Sequence, residues 1–247
     1  MAYLEGVYWD LDGTIANTEL EAHLPAFNQA FKFFNLNWFW DEKTYIDLLK
    51  VNGGKNRISY FAEKKKESIS EDLIIAIHKK KQFFYLDLLH QGKVSLKRGV
   101  LRLIRELNQR DVKQFIVTSS SRIQVDTLVN KLIIGFQPFE FYICSEDVNL
   151  HKPHGLPYEK AIELSGINKI NSLVFEDSCV GLRSSIAAGL RTICIKTNIP
   201  IDFGKYKLSC LIDSLGDQDN PTDFLIGSSY NSQFIDYKYL NNFINSY

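Results

Sequence analysis

Two aspartates separated by one leucine, Asp10 and Asp12, follow the apolar run Val7-Tyr8-Trp9 and precede Gly13 and Thr14. On a strand, residues two apart project to the same side. Two carboxylates held there repel each other unless a cation or a proton lies between them. The chemistry that suits such a pair is metal and phosphate binding. Gly13 allows the chain to turn sharply, and the Thr14 hydroxyl is expected to cap or hydrogen-bond the segment beyond it. An Asp-Gly pair after a strand is ordinarily a simple turn with a solvated carboxylate, but three further polar clusters change its weight.

The first is Thr118-Ser119-Ser120-Ser121, directly after Phe115-Ile116-Val117. Open α/β sheets bind ligands at the carboxyl ends of their strands, and a helix N-terminus there favours an anion. Thr118 is expected to touch phosphate, and Ser120 or Ser121 to cap the helix. The second is Lys152, in His151-Lys152-Pro153. A lone lysine is a surface residue, yet a carboxylate-rich phosphate site needs a fixed cation, and lysine serves as a point charge. His151 and His154 straddle the proline at a spacing that fits no usual metal pair and are read as surface residues. The third is Glu176-Asp177-Ser178, after Leu173-Val174-Phe175, with Gly181 expected to open the helix that follows. Together with Asp10 and Asp12 it offers acidic oxygens to one hard cation, which for an oxygen set is Mg²⁺, while Asp177 or Ser178 would also cap a helix.

The elements that must position these groups are short apolar runs: Val7 to Trp9, Phe115 to Val117, Phe139 to Ile143, Leu173 to Phe175 and Thr192 to Ile195. None alternates strictly, so each is expected to be covered on both faces. Helical patterns lie between them, clearest at Val100, Leu103, Ile104 and Leu107, with Gly189 closing another. The expected fold class is α/β, a Rossmann-like doubly wound parallel sheet. From Glu19 to Leu89 only helical patterns occur, as at Leu24, Phe27, Phe31 and Phe34, or Leu73, Ile74, Ile77, Phe84 and Leu88. This stretch is read as an inserted small α-helical cap, a lid over the Asp10 site. The expected bounds are a core of residues 1–18 and 91–220, a cap of 19–90, and a C-terminal extension of 221–247 without a clear period. The lysine runs Lys64 to Lys66 and Lys79 to Lys81 read as a solvated helix face.

Charge and composition limit the partners. Among 247 residues, 29 Lys and Arg balance 29 Asp and Glu, which argues against a nucleic-acid groove or a basic membrane surface and for a small-molecule ligand. Cys144, Cys179, Cys194 and Cys210 are widely spaced and lie in or beside apolar runs, as reduced core residues do. The first strand begins within a few residues, and no apolar stretch reaches the length of a membrane span. The expectation is a cytoplasmic, soluble monomer with no nucleic-acid or membrane partner.

In this chain order, Asp10-Leu11-Asp12-Gly13-Thr14, Thr118, Lys152 and Glu176-Asp177 resemble the haloacid-dehalogenase superfamily of aspartyl-phosphate phosphotransferases, over roughly residues 1 to 216. The resemblance implies that Asp10 is the nucleophile and Asp12 the general acid and base. It implies that Thr118 and Lys152 hold the transferring phosphoryl group, with Ser119 beside them among the substrate-binding residues. It also implies that Asp10, Asp12 through its main-chain carbonyl, Glu176 and Asp177 hold the cofactor Mg²⁺. Within the superfamily, Trp38-Phe39-Trp40-Asp41 and Gly53-Gly54-Lys55-Asn56-Arg57-Ile58 are similar to the CbbY-type phosphatases, relatives of β-phosphoglucomutase that act on xylulose 1,5-bisphosphate. That likeness implies a sugar-phosphate substrate, with Lys55 and Arg57, beyond the Gly53-Gly54 turn, reaching its second phosphate. The tryptophans are read as cap core. Relatives often carry Thr-Glu-x-x-His, whereas Thr18-Glu19-Leu20-Glu21-Ala22-His23 has one extra residue. Glu19 therefore keeps the register of a substrate contact and His23 does not. The same core would serve a phosphomutase or, without catalysis, a phospho-ligand sensor. A dehalogenase would leave Asp12 without a task, and phosphonate cleavage would need a Schiff-base lysine such as Lys55.

Overall fold

A computed structural model describes residues 2–51, 53–197, 206 and 208–246. The chain divides into two compact units, Asn17–Ser95 and the remainder, Met1–Ala16 with Leu96–Tyr247.

The smaller unit is helical and contains no strand among its described residues. A π-helical turn, Glu19–His23, runs directly into α1 (Leu24–Phe33), followed by α2 (Glu42–Leu48), α3 (Gly54–Lys65) and α4 (Glu71–His90). Asp41 and Ser70 cap α2 and α4 by accepting from the amides of Thr44 and Leu73, each satisfying one of the orphan donors of a first turn. The core between these helices is aromatic, built on Phe27, Phe31, Trp38, Trp40, Tyr45 and Phe61. Trp38 and Trp40 pack on Phe31 with ring centroids 5.4 and 4.8 Å apart, so the two tryptophans are core residues, as the sequence indicates.

The larger unit is built on a seven-stranded sheet: β1 (Gly6–Trp9), β2 (Lys113–Val117), β3 (Phe139–Ile143), β4 (Ser172–Glu176), β5 (Arg191–Ile195), β6 (Cys210–Ile212) and β7 (Phe224–Ile226). Their spatial order is β3-β2-β1-β4-β5-β6-β7, parallel except for the β6–β7 pair. The five anticipated strands all form, and β1 and β4 are buried along their whole length, the condition that removes alternation from a parallel strand. Around the sheet lie α5 (Val100–Gln109), α6 (Arg122–Leu132), α7 (Leu156–Ser165), α8 (Cys179–Ala187) and α9 (Tyr237–Asn245). The strand order reverses beside β1, which pairs with β2 on one side and β4 on the other. Such a switch point is where ligands bind in open sheets. Register completes the arrangement: Trp9 lies opposite both Ile116 and Phe175, so Asp10, Thr118 and Glu176 emerge at one edge.

Several local expectations need correction. β1 ends at Trp9, so Asp10, its amide still donating to Phe175 O at 3.0 Å, stands just beyond the strand, and Asp12 lies in a tight turn closed by Gly13 N–H to Ala16 O at 2.8 Å and Ile15 N–H to Leu11 O at 2.9 Å. Backbone bonds close that turn, and the buried Thr14 Oγ1 has no hydrogen-bond partner among the described residues. The segment after Pro221 is also regular. It supplies β7 and α9, whose buried Tyr239, Leu240, Phe243 and Ile244 form one helical stripe. None of the four cysteines forms a disulfide. Among the described residues no helix is long and apolar enough to cross a membrane.

Candidate active site

Lys152 is the centre of the cluster at the switch point. It enters from the loop before α7, next to a cis peptide bond to Pro153, and its side chain is buried. An ammonium has three N–H donors, and all three are placed: on Asp10 Oδ1 at 2.7 Å, on Glu176 Oε1 at 2.6 Å and on Val117 O at 2.8 Å. The Tyr158 hydroxyl also donates to Glu176 Oε1, at 2.6 Å. Ligand oxygens of Asp10, Glu176 and Asp177, all buried, lie within 4.8 Å of one another.

Two glycines make room for these carboxylates. At Gly13, with a φ of +85°, an added Cβ would stand 2.0 Å from Asp177 Oδ2. At Gly181 it would stand 1.8 Å from Glu176 Oε2. Gly181, the third residue of α8 rather than its opening one, is therefore required by side-chain space. The helix itself is capped by Ser178, whose Oγ accepts from the Gly181 amide at 3.0 Å.

Burial, reinforced by the charge of Glu176, pushes the Asp10 carboxyl up to about 7 against the opposing pull of Lys152. Burial works against the Lys152 ammonium, but the charges of Asp10 and Glu176 more than offset it, so its pKa rises. Three buried carboxylates facing one ammonium leave an excess of negative charge, and an all-oxygen donor set is what Mg²⁺ takes. The residues fit that ion.

The hydroxyl cluster divides its roles. Ser121 caps α6 in a reciprocal capping box with Gln124. Ser120 instead donates to Asp12 Oδ2 at 2.5 Å, a contact that sequence reasoning missed because the partners are 108 positions apart. The buried Thr118 accepts the Ser120 amide through Oγ1 at 3.1 Å, which leaves its own proton to donate. Ser119 is exposed beside them. The half-buried Asp12 carboxylate is not among the clustered metal-ligand oxygens of the described residues. His151 and His154 are exposed.

The expected cap residues Glu19, Gly53, Gly54, Lys55 and Arg57 all lie in the smaller unit. Tyr45 donates its hydroxyl to Glu19. Arg57 donates Nε to Val51 O at 2.9 Å, with its guanidinium carbon 6.0 Å from the Tyr45 ring centre. Gly53, with a φ of +86°, precedes α3, and a Cβ on Gly54 would meet the His78 ring at 2.6 Å. Lys55 is exposed.

One reading changes within this unit. Lys81 is buried rather than solvated, its Nζ 2.5 Å from His23 Nδ1 and about equally near the Phe27 and Tyr85 rings, at 5.0 and 5.1 Å. His23, which counting placed out of register, stacks on Tyr85 with centroids 4.3 Å apart. His23 closes the π-helical turn Glu19–His23. Helical spacing of His78, Lys81 and Tyr85 was the available signal. Burial and the neighbouring charges of Lys81, Lys55, His23 and Arg57 hold the His78 imidazole down to about 4, so it is neutral at pH 7.

Comparison with known proteins agrees with this geometry. Residues 7–195 match the haloacid dehalogenase-like hydrolase family model. Protein CbbY of Rhodobacter capsulatus is 34% identical over 192 residues, which cover 77% of this chain and 84% of that protein. The crystal structure of a CbbY variant from Rhodobacter sphaeroides in complex with xylulose-(1,5)bisphosphate superposes with a TM-score of 0.77 at 29% identity, covering 85% of this chain and 94% of that one. A β-phosphoglucomutase from Clostridium difficile, 18% identical, shares the fold at a TM-score of 0.72 over 99% of this chain and 98% of its own. With its acidic cluster, its buried lysine and this family match in agreement, the chain belongs to the haloacid dehalogenase-like hydrolases.

Proposed function

We propose that this protein is a Mg²⁺-dependent phosphatase of sugar phosphates working through an aspartyl phosphate, and that its substrate is xylulose 1,5-bisphosphate. The observation that carries this reading is the buried contact of Lys152 with both Asp10 and Glu176, beside Asp177. It is the arrangement needed to bring a carboxylate nucleophile up to a phosphate dianion.

Asp10, Glu176 and Asp177, with the Asp12 main-chain carbonyl, would hold Mg²⁺, whose charge offsets the repulsion between nucleophile and phosphate. Asp10 attacks phosphorus with a carboxylate oxygen, and the phosphorus–oxygen bond to the sugar breaks with its electron pair left on the sugar oxygen. Asp12, oriented by Ser120, protonates that oxygen. It then takes a proton from the water that attacks the acyl phosphate, releasing orthophosphate and restoring the Asp10 carboxylate. Thr118 and Ser119 supply hydroxyl donors to the phosphoryl oxygens. Of the residues in the smaller unit, Lys55 and Arg57 have the charge suited to the phosphate that is not transferred, and Glu19 is the candidate contact to the sugar.

A phosphate-release assay over xylulose 1,5-bisphosphate, ribulose bisphosphate, fructose 1,6-bisphosphate and glucose 1-phosphate tests the reading. The expected result is Mg²⁺-dependent release with preference for xylulose 1,5-bisphosphate, abolished by Asp10→Asn. Strong preference for a hexose monophosphate would overturn the substrate, and conversion without phosphate release would indicate a mutase.

A further inference from the structure

Tyr158 is the third residue of α7, fully buried, and belongs to none of the motifs that mark the site. Its ring packs in the core cluster that includes Tyr8, Phe115 and Val174. Its hydroxyl reaches Glu176 Oε1, the same oxygen that accepts from Lys152, and the Lys152 ammonium lies 5.0 Å from its ring centre.

The need for such a donor comes from counting. All three N–H groups of Lys152 are already committed, so donation to a phosphoryl oxygen requires that one acceptor be given up. Glu176 is poorly placed to lose its lysine bond. Its other oxygen has a 3.5 Å approach from Ser178 Oγ and occupies the space that Gly181 leaves open. When the lysine turns away, Oε1 keeps the Tyr158 hydroxyl as its donor; without it that buried oxygen would have none among the described residues, which is costly.

We propose that Tyr158 is a positioning residue that holds Glu176 in place, so that Lys152 can turn an N–H from the carboxylate cluster to the phosphoryl group. This rests on the phosphatase reading above. Tyr158→Phe keeps the ring, its packing and its contact with the ammonium, and removes only the donor.

The readouts are orthophosphate binding to the Mg²⁺-loaded protein and Mg²⁺ binding alone, both by calorimetry, with the thermal midpoint of the metal-free protein and kcat. The expected result is orthophosphate binding weakened about tenfold and kcat lowered by a similar factor, with Mg²⁺ affinity within about threefold of wild type and the midpoint nearly unchanged. Unaltered orthophosphate affinity overturns the proposal. So does a parallel loss of Mg²⁺ binding and thermal stability, which would make Tyr158 a packing residue only. Tyr158→Met, an unbranched filler without the donor, is measured the same way if the phenylalanine variant does not accumulate. An active wild type with an indifferent Tyr158→Phe defeats this inference alone, whereas a wild type that neither binds nor releases phosphate defeats the functional reading beneath it.

Discussion

At Gly13 the backbone turns with a φ of +85°, and the Asp177 carboxylate fills the space in which a side chain would stand. Substituting Gly13→Ala therefore combines a left-handed backbone strain with a direct collision. The expected outcome is a loss of roughly 1–3 kcal/mol of stability and, in a calorimetric titration, Mg²⁺ affinity lowered at least tenfold. A wild-type titration curve would show that Asp177 can move aside without consequence. At this scale much of the site was legible. Asp10, Thr118, Glu176 and Asp177 each follow or adjoin an apolar strand and have the right chemistry, and Lys152, in a loop beside Pro153, supplies the one cation such a cluster needs. Ser120 and Tyr158 were not legible in those roles. A serine ahead of a helix reads as a cap, and a tyrosine in an apolar helical stretch reads as core, until the fold brings Asp12 and Glu176 to them.

Helix α4 shows how an element can be read correctly and its faces wrongly. Its length and capping follow from Ser70 and the apolar spacing, but the run Lys79-Lys80-Lys81 divides among three environments. Lys79 is exposed, Lys80 is half-buried with its ammonium 4.2 Å from the Phe33 ring centre, and Lys81 is buried. His78, on the same helix, is held neutral by burial and by the cations around it. An unfolded chain takes up that proton near pH 6.5, whereas the folded protein takes it up only near 4. Protons therefore favour unfolding as the pH falls through that interval, and the stabilisation tied to neutral His78 is complete only above it. His78→Gln is expected to reduce the drop in thermal midpoint between pH 7 and pH 5 by roughly 2 °C or more. Identical pH profiles for wild type and variant would count against a buried neutral His78.

At the scale of the whole molecule, the larger unit is closed by a segment that the sequence left without structure. Arg102 on α5 donates to the carbonyls of Leu215 at 3.2 Å, Gly216 at 3.1 Å and Ile235 at 2.6 Å, with its guanidinium carbon 4.6 Å from the Phe234 ring centre. These bonds fasten both ends of the β7 segment and the approach to α9. Arg102→Ala removes the guanidinium donor from the Gly216 and Ile235 carbonyls, while Leu215 O keeps the Ile235 amide at 3.0 Å, and is expected to cost about 2 kcal/mol. Limited proteolysis after Gly216 should become faster, while Mg²⁺-dependent phosphate release at low temperature stays near wild type. Unchanged proteolysis would mean that the sheet pairing and packing of β7 and α9 hold the segment without the Arg102 bonds.

The sequence by itself determined the five central strands, the helical insertion and the carboxylates, hydroxyls and lysine of the candidate site. These are local signals, apolar runs ended by polar residues of a particular chemistry, and they survive without knowledge of neighbours. Only the tertiary structure decided which donor each carboxylate meets, that Lys81 and His23 are brought together, and that residues 224–226 and 237–245 complete the larger unit. Each of those outcomes depends on contacts between residues far apart in the chain, and a pattern read along one dimension carries no term for the burial or charge that a distant element will supply.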